Sequence, residues 1–324
     1  MLGSMNGLLR DKDFIKCGNI FSQVIGYLHP KDYVIAIPRY VKVDYATIWR
    51  DHSYYDRALK EYSSSELRRT LSKYYSKYLR YDTNMDSILP LIAHKEIDKI
   101  FLTSKGFDYL TRENSLAKRA YEILDLLSNN ANIPKYEFGL TGTLLVGIYN
   151  VIYSDIDIVV YGKNNVEKIK DFLKERKEFL IKDSEIIKGL DKKSYSIISK
   201  RKWNKCIYKN RHFSINPVLK FDEVKISYDE VKIKNLGIIE TKVEIIEKLD
   251  PYFYPLRYKI KPYETKYEIK ELVIFENYYL DAFEEGDKVQ IKAILQKYRE
   301  KDDEYFRLAY GVREIEDQYL RILA

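Results

Sequence analysis

The pattern of hydrophobic and polar positions separates the first third of the chain from the rest. Apolar and aromatic residues alternate with polar ones over residues 8–45, and a His-Pro-Lys-Asp turn at 29–32 interrupts them, which predicts a β-hairpin. Helical spacing follows over 64–81 and again over about 115–128. We therefore place a first domain boundary near residue 112.

Strand and helix patterns alternate in the middle of the chain, and strand patterns dominate its last third. The middle reads, in order, KYEFGL, LLVGIYN, IDIVVYG and NVEKIKDFLKERKEFL, which is typical of an α/β sheet. From about residue 240, five alternating segments favour a small β-barrel, with an OB-like barrel as one candidate. The predicted class is α/β (α+β): an N-terminal α/β domain over 5–112, a mixed sheet with helices over 113–240, and a β-rich domain over 241–324.

The composition excludes several classes of protein. Of 324 residues, 45% are hydrophobic and 32% are charged, which is enough to bury a core and unlike a disordered chain. No apolar run approaches the roughly 18 residues of a membrane span, and no signal-peptide pattern is present, with Met5 as the expected natural start. Two cysteines and four histidines cannot build a disulfide scaffold or a zinc cluster. We expect a soluble, cytoplasmic protein without a membrane partner, and the abundant Lys and Glu favour a thermophile or a lineage with Lys-rich coding.

The net charge of +7 comes from one basic stretch, residues 188–212. Its nine basic residues and one acidic residue give +8, which leaves −1 for the rest of the chain. Such a concentration of charge favours a phosphate-rich partner, and Trp203, Tyr195 and Tyr208 within the stretch could stack on bases. A solvated loop or helix face is the alternative. The basic residues are Lys188, Lys192, Lys193, Lys200, Arg201, Lys202, Lys205, Lys209 and Arg211.

The candidate chemistry lies in the middle of the chain. Gly142 and Thr143 follow a strand and precede an apolar run, so backbone N–H groups and a hydroxyl would meet a phosphate at a helix start. Asp155 and Asp157 point to the same side of the next strand, because alternate residues share a face. Two adjacent carboxylates need a counter-ion, and Mg²⁺ or Mn²⁺ bound also to water and substrate phosphates would supply it. An ordinary turn and a strand-end acid pair are the alternatives.

The order Gly142-Thr143, then Ser154-Asp155-Ile-Asp157 entering an apolar strand, resembles the nucleotidyltransferase signature of the DNA polymerase beta superfamily. Outside that match, RDKDFI, GYLHPKDYVIAI and RKWN look similar to an archaeal group of predicted nucleotidyltransferases. The resemblance implies transfer of a nucleoside monophosphate from an NTP to a hydroxyl or phosphate acceptor, with release of pyrophosphate. It implies that Asp155 and Asp157 bind the metal, and that Gly142, Thr143 and Ser154 bind the nucleotide.

The chain departs from the superfamily pattern at one position. A third carboxylate is expected on a later strand, but the corresponding segment, HFSINPVL, carries Ser214 and Asn216. Asn216 could ligate the metal through its oxygen, although an amide cannot act as a base. Glu244 and Asp222 are the candidates to replace the missing acid.

The sequence leaves three possibilities for the acceptor. We expect nucleic acid, RNA or DNA, with Lys202, Lys205 and Arg211 as the phosphate or acceptor contacts. The missing acid favours a second possibility, a transferase core that has lost catalysis and binds nucleic acid. A protein or small-molecule acceptor is a third. The sequence leaves the preferred NTP and the oligomeric state undetermined.

Overall fold

The computed structural model describes residues 9–60, 64–181, 190–263, 265–312 and 317–323, and the chain divides into two units. The first unit contains the described residues of Met1–Lys60, Pro90–Ile181 and Trp203–Lys225, and the second those of Glu61–Leu89, Lys182–Lys202 and Ile226–Ala324. The mixed α+β class predicted from the sequence is confirmed. The three consecutive domains predicted over 5–112, 113–240 and 241–324 differ from this division, because each unit is assembled from segments that are distant in the chain.

The described part of the chain is rich in strands. The strands are β1 (Phe14–Cys17), β2 (Ile20–Val24), β3 (Tyr33–Val43), β4 (Trp49–Arg50), β5 (Tyr54–Arg57), β6 (Leu79–Asp82), β7 (Ser87–Ala93), β8 (Lys99–Phe101), β9 (Phe138–Leu140), β10 (Ile156–Tyr161), β11 (Lys205–Tyr208), β12 (Arg211–Val218), β13 (Val231–Asp250), β14 (Leu256–Pro262), β15 (Ile269–Ile274), β16 (Lys288–Glu300), β17 (Asp303–Tyr310) and β18 (Tyr319–Leu323). The α-helices are α1 (Ser64–Tyr74), α2 (Ser115–Ala131), α3 (Gly142–Val146), α4 (Lys163–Glu175) and α5 (Lys192–Arg201). Short 3₁₀ turns lie at Ser76–Tyr78, His94–Glu96, Thr103–Lys105, Lys135–Glu137, Lys177–Phe179, Phe221–Glu223, Tyr228–Glu230 and Asn277–Tyr279. None of these helices is long and apolar enough to cross a membrane.

The first unit begins with an antiparallel sheet in the order β4-β5-β3-β2-β1-β8, which we call the N-terminal sheet. The predicted hairpin is confirmed as the pair β2 and β3. In the pairing of β5 with β3 and β4, Arg57 lies opposite Tyr40, and Tyr55 lies opposite Trp49. Because directly opposed and alternate residues share a face, these four side chains project to the same side of the sheet.

A second, mixed sheet of the first unit has the order β11-β12-β10-β9, with β10 and β12 parallel and the other pairs antiparallel. Helices α2 and α4 pack against β10. Asn114 caps α2 by accepting the N–H of Ala117 at 2.9 Å, as expected for a side-chain N-cap. Each buried aliphatic side chain of the helices, such as Ile123 and Ile169, contributes about 1.5–3 kcal/mol.

Helix α3 is anchored on the N-terminal sheet. Leu145 and Val146 of α3, together with Ile148, form one core with the sheet aromatics. Those aromatics are Phe14, Phe21, Tyr40, Tyr55 and Phe101, with Trp49 packed at the edge. This core fixes the β9–α3–β10 segment beside the sheet face that bears Trp49 and Arg57.

The second unit contains a closed barrel. Strand β13 pairs with both β14 and β16, so the order β13-β14-β15-β17-β16 returns to β13, and β18 adds to β16. Apolar side chains such as Tyr258, Leu272 and Leu308 fill the core, and Ile198 of α5 joins them. The small barrel predicted from the sequence is confirmed, and five strands closed in this way are what an OB-like barrel requires.

The helical spacing of residues 64–81 predicts a helix over that whole range, but α1 is shorter. It ends at Tyr74, and residues 79–82 instead form β6, which pairs with β7. Tyr75 and Tyr78 are both buried, and their rings pack edge to face at 5.1 Å. Tertiary packing of these aromatic residues therefore outweighs the helical pattern of the segment.

His29, at the predicted turn, gives the fold a specific pH dependence. Its Nδ1 accepts the N–H of Ile35 at 3.3 Å, while Nε2 is buried without a partner among the described residues. Burial, and secondarily the charge of His94, lower the pKa of His29 to about 4. As the pH falls, His29 of the unfolded chain therefore becomes protonated near pH 6.5, whereas His29 of the folded chain becomes protonated only near pH 4. We expect the free energy of unfolding to fall by about 3 kcal/mol as the pH drops through this window.

The measurement for His29 is the free energy of unfolding by denaturant between pH 4 and 7, for the wild type and for His29→Asn. The asparagine oxygen can take the place of Nδ1 as an acceptor, but it does not titrate. The difference between the two curves isolates His29 from the other titrating groups. Parallel curves would contradict the assignment.

Candidate active site

The turn between β9 and α3 brings Gly142 against the first residues of β10. Thr141 donates its backbone N–H to the carbonyl of Asp157 at 3.0 Å. Gly142 has a φ of +66°, and a Cβ at this position would lie 2.6 Å from Asp157 Oδ2. Glycine therefore satisfies both a left-handed backbone and the close approach of a carboxylate.

Asp157 is held from the neighbouring parallel strand. The register places Ser214 opposite Asp157, and Ser214 Oγ donates a hydrogen bond to Asp157 Oδ1. Asn216 Nδ2 in turn donates to Ser214 Oγ at 2.8 Å and to the Ile158 carbonyl at 3.4 Å. The two residues found where a third carboxylate was expected therefore orient the second aspartate.

Asp155 lies immediately before β10 and is surrounded by charge. Partial burial and the carboxylate of Asp157 raise the pKa of Asp155, while His212, Lys205 and Arg57 oppose that rise. The two carboxylates are thus near enough to repel each other, as predicted. Lys205 lies on the same sheet face as Asp157, two strands away, so this predicted cation is at the site.

The loop before Asp155 is closed by hydrogen bonds between side chains and backbone. Ser154 Oγ accepts the N–H of Asn150 at 2.9 Å, and the N–H of Ser154 donates to the Asn150 carbonyl at 3.0 Å. Arg211 donates to three carbonyls of the same loop at 2.6–3.2 Å. Arg211, predicted as a phosphate or acceptor contact, therefore holds the loop that presents Asp155.

These elements line a pocket of about 170 Å³ within the first unit. Four of its residues were singled out from the sequence: Thr143, Ser154, Asp155 and Asp157. Thr143 is only 7% exposed, and its hydroxyl has no hydrogen-bond partner among the residues the structure describes. An unpartnered hydroxyl and two carboxylates in one pocket provide oxygen ligands and a donor for a charged ligand.

Comparisons with known proteins assign no family to the chain. No family model matches it, and no solved structure matches it. The chain is similar to an uncharacterized protein of the archaeon Methanocaldococcus jannaschii, with 26% identity over an alignment of 346 residues that covers 97% of this chain and 99% of the relative. The similarity thus extends over nearly the whole of both proteins, including both units.

The predicted basic stretch is divided between the two units, after Lys202. Lys202 belongs to the second unit, where its ammonium lies 3.6 Å from the centre of the Tyr278 ring. Lys188 lies outside the described residues. Trp203, expected to be available for stacking, is only 1% exposed, because its large apolar ring is buried in the core.

Neither candidate for the third carboxylate is brought to the aspartates within the first unit. Asp222 lies in the 3₁₀ turn beyond the far end of β12, and the distance along β12 from Ser214 to Val218 alone is roughly 13 Å. Glu244 lies on β13 of the second unit, where it accepts a hydrogen bond from the Tyr263 hydroxyl. Among the described residues, no three His, Cys, Asp or Glu side chains converge as a metal-binding group.

Sequence reasoning missed the other five residues that line the pocket. Tyr40, Ile48, Trp49 and Arg57 come from the N-terminal sheet and the loop preceding β4, and Tyr153 comes from the loop before Asp155. No motif marks the residues between 40 and 57, because they lie about one hundred positions from the aspartates along the chain, and Tyr153 belongs to no part of the signature although it lies beside it. The one available signal was an aromatic and an arginine alternating on short strands, which is common in any sheet.

Proposed function

We propose that this protein is a metal-dependent nucleotidyltransferase that moves a nucleoside monophosphate from an NTP to a hydroxyl or phosphate acceptor, with nucleic acid as the expected acceptor. The observation that carries the proposal is the pocket that holds Thr143, Asp155 and Asp157 together. The close approach of Gly142 to Asp157 supports the proposal, because the turn predicted to bind phosphate and the aspartates predicted to bind metal then belong to one site.

The donor set fits Mg²⁺ or Mn²⁺. Mg²⁺ binds through one or two carboxylates together with water and substrate phosphates, rather than through an all-protein cage. Asp155 and Asp157 would hold the ion, and when bound it would neutralise charge on the phosphates. Asn216 presents its amide nitrogen to Ser214, so its contribution is to orient Asp157.

The residues of this chain would act by positioning. Thr143 and the backbone at Gly142 would hold phosphate oxygens, and Lys205 would balance their charge. The acceptor oxygen would form a bond to the α-phosphorus, the bond from that phosphorus to the pyrophosphate oxygen would break, and the acceptor proton would pass to solvent. Orientation and charge neutralisation together supply most of the rate enhancement in phosphoryl transfers of this kind.

Incorporation of label tests the proposal. The protein is incubated with each α-³²P-labelled NTP, with Mg²⁺ or Mn²⁺, and with RNA, DNA and protein acceptors, and the products are separated on a denaturing gel. We expect label on one class of acceptor, lost on addition of EDTA. No metal-dependent label with any NTP or acceptor would refute the proposal.

One observation favours a second function. Ser214 stands where a third carboxylate would deprotonate the acceptor, which fits a transferase core that has lost catalysis and binds nucleic acid. That alternative predicts RNA or DNA binding that weakens steeply with salt, without incorporation of label.

A further inference from the structure

Arg57 stands out among the residues that line the pocket. Its side chain is exposed, and its guanidinium carbon lies 4.9 Å from the centre of the Trp49 ring. The guanidinium has no hydrogen-bond or ion-pair partner among the described residues. The cation–π contact with Trp49 therefore holds the guanidinium over the ring and leaves its N–H donors available.

The register of the N-terminal sheet explains why Arg57 is held in place. Arg57 lies opposite Tyr40 on β3, and Tyr40 is buried in the core that also contains Leu145 and Val146 of α3. The sheet face and α3 thus share one core, and Arg57 and the aspartates line the same pocket. Side chains on strands are more precisely placed than side chains on loops, which suits a recognition role.

The charge of the pocket identifies the class of ligand. Asp155 and Asp157 carry two negative charges, and Arg57 and Lys205 are the cations that act on Asp155 together with His212. A divalent cation on the aspartates would offset both carboxylates and leave the two cationic side chains for a multiply charged anion. Guanidinium binds phosphate in a planar, bidentate manner, more specifically than ammonium does.

We propose that Arg57, oriented by Trp49, binds a phosphate group of the nucleotide in this pocket, so that the N-terminal sheet supplies half of the substrate site. This inference rests on the proposed nucleotidyl transfer. The volume of about 170 Å³ is smaller than the roughly 300 Å³ at which small-molecule sites begin. The pocket would therefore receive the phosphates, with the nucleoside at the opening, where Tyr153 is 67% exposed.

The two tryptophans of the chain allow a direct binding test. Trp49 lines the pocket, whereas Trp203 is buried in the core, so a fluorescence change on ligand addition reports on Trp49. Inorganic triphosphate and each NTP are titrated with Mg²⁺, without any acceptor, and calorimetry repeats the titrations for every variant. We expect saturable binding by the wild type, and loss of the fluorescence response in Trp49→Phe.

Arg57→Met is expected to raise the dissociation constant for Mg²⁺-triphosphate about tenfold, because a charge-assisted pair of hydrogen bonds is lost. Arg57→Lys should recover part of that loss. Arg50→Met is the matched control, since Arg50 is an exposed arginine on the neighbouring strand that does not line the pocket. Equal binding by Arg57→Met and Arg50→Met, or no saturable binding by the wild type, would overturn the inference.

These outcomes separate the inference from the proposed transfer. Weakened triphosphate binding in Arg57→Met, with no label transferred by the wild type, would support the phosphate contact and refute the transferase. Label transfer with an unchanged KM for the NTP in Arg57→Met would support the transferase and refute the contact.

Discussion

Asp157→Asn is expected to reduce metal-dependent label incorporation at least about a hundredfold, the scale seen when one group that stabilises developing charge is removed. The amide keeps the size of the carboxylate and can still accept the hydrogen bond from Ser214. It removes the negative charge that a divalent cation requires. The repulsion between Asp157 and Asp155 also disappears, so the thermal midpoint should be equal to or higher than that of the wild type.

The control for Asp157→Asn is a variant that removes a different carboxylate of the same unit. Asp222 is exposed in the turn beyond β12, at the far end of the strand from Ser214. Asp222→Asn should leave both incorporation and the thermal midpoint at wild-type values. Wild-type incorporation by Asp157→Asn would remove the aspartate pair from the mechanism, whatever the control shows.

Gly142→Ala is the second substitution for which we expect a large effect. A methyl group at this position would lie 2.6 Å from Asp157 Oδ2, and the backbone is left-handed with a φ of +66°. The Asp157 carboxylate is tied to Ser214 and must shift to relieve the contact. A displacement of about 1 Å at a reacting centre costs on the order of a hundredfold in rate, so we expect incorporation to fall by that amount.

Gly147→Ala is the matched control for Gly142→Ala. Gly147 also has a left-handed backbone, with a φ of +79°, but a Cβ there meets no atom within 4 Å. Both variants should lose about 1–2 kcal/mol of unfolding free energy from backbone strain. A large loss of incorporation in Gly142→Ala alone assigns the effect to Asp157, whereas equal losses in both variants would assign it to strain.

Local pattern was sufficient for several elements of this fold. Apolar spacing over about 115–128 predicts α2, which begins at Ser115. The turn at 29–32 predicts the hairpin of β2 and β3, and the strand alternation after residue 240 predicts the barrel. These features depend on neighbours in the chain, which is why the sequence contains them.

In the candidate site too, the local sequence predicted some features and not others. Gly142, Thr143, Asp155 and Asp157 lie within one short strand–turn–helix–strand segment, and the sequence determined both their types and their order. Charge and aromaticity did not predict the contacts of Arg211 and Lys202 or the burial of Trp203. Hydrogen bonds, ring contacts and burial depend on partners elsewhere in the chain.

By itself, the sequence determined a mixed α+β chain with an aspartate pair at the start of a strand, after a glycine turn. Only the tertiary structure decided that Ser214 and Asn216 orient Asp157, and that Trp49 and Arg57 line the same pocket as the aspartates. The physical reason is the shared core between α3 and the N-terminal sheet, which brings together residues about one hundred positions apart. Such contacts depend on strand register and side-chain packing, and no local pattern encodes them.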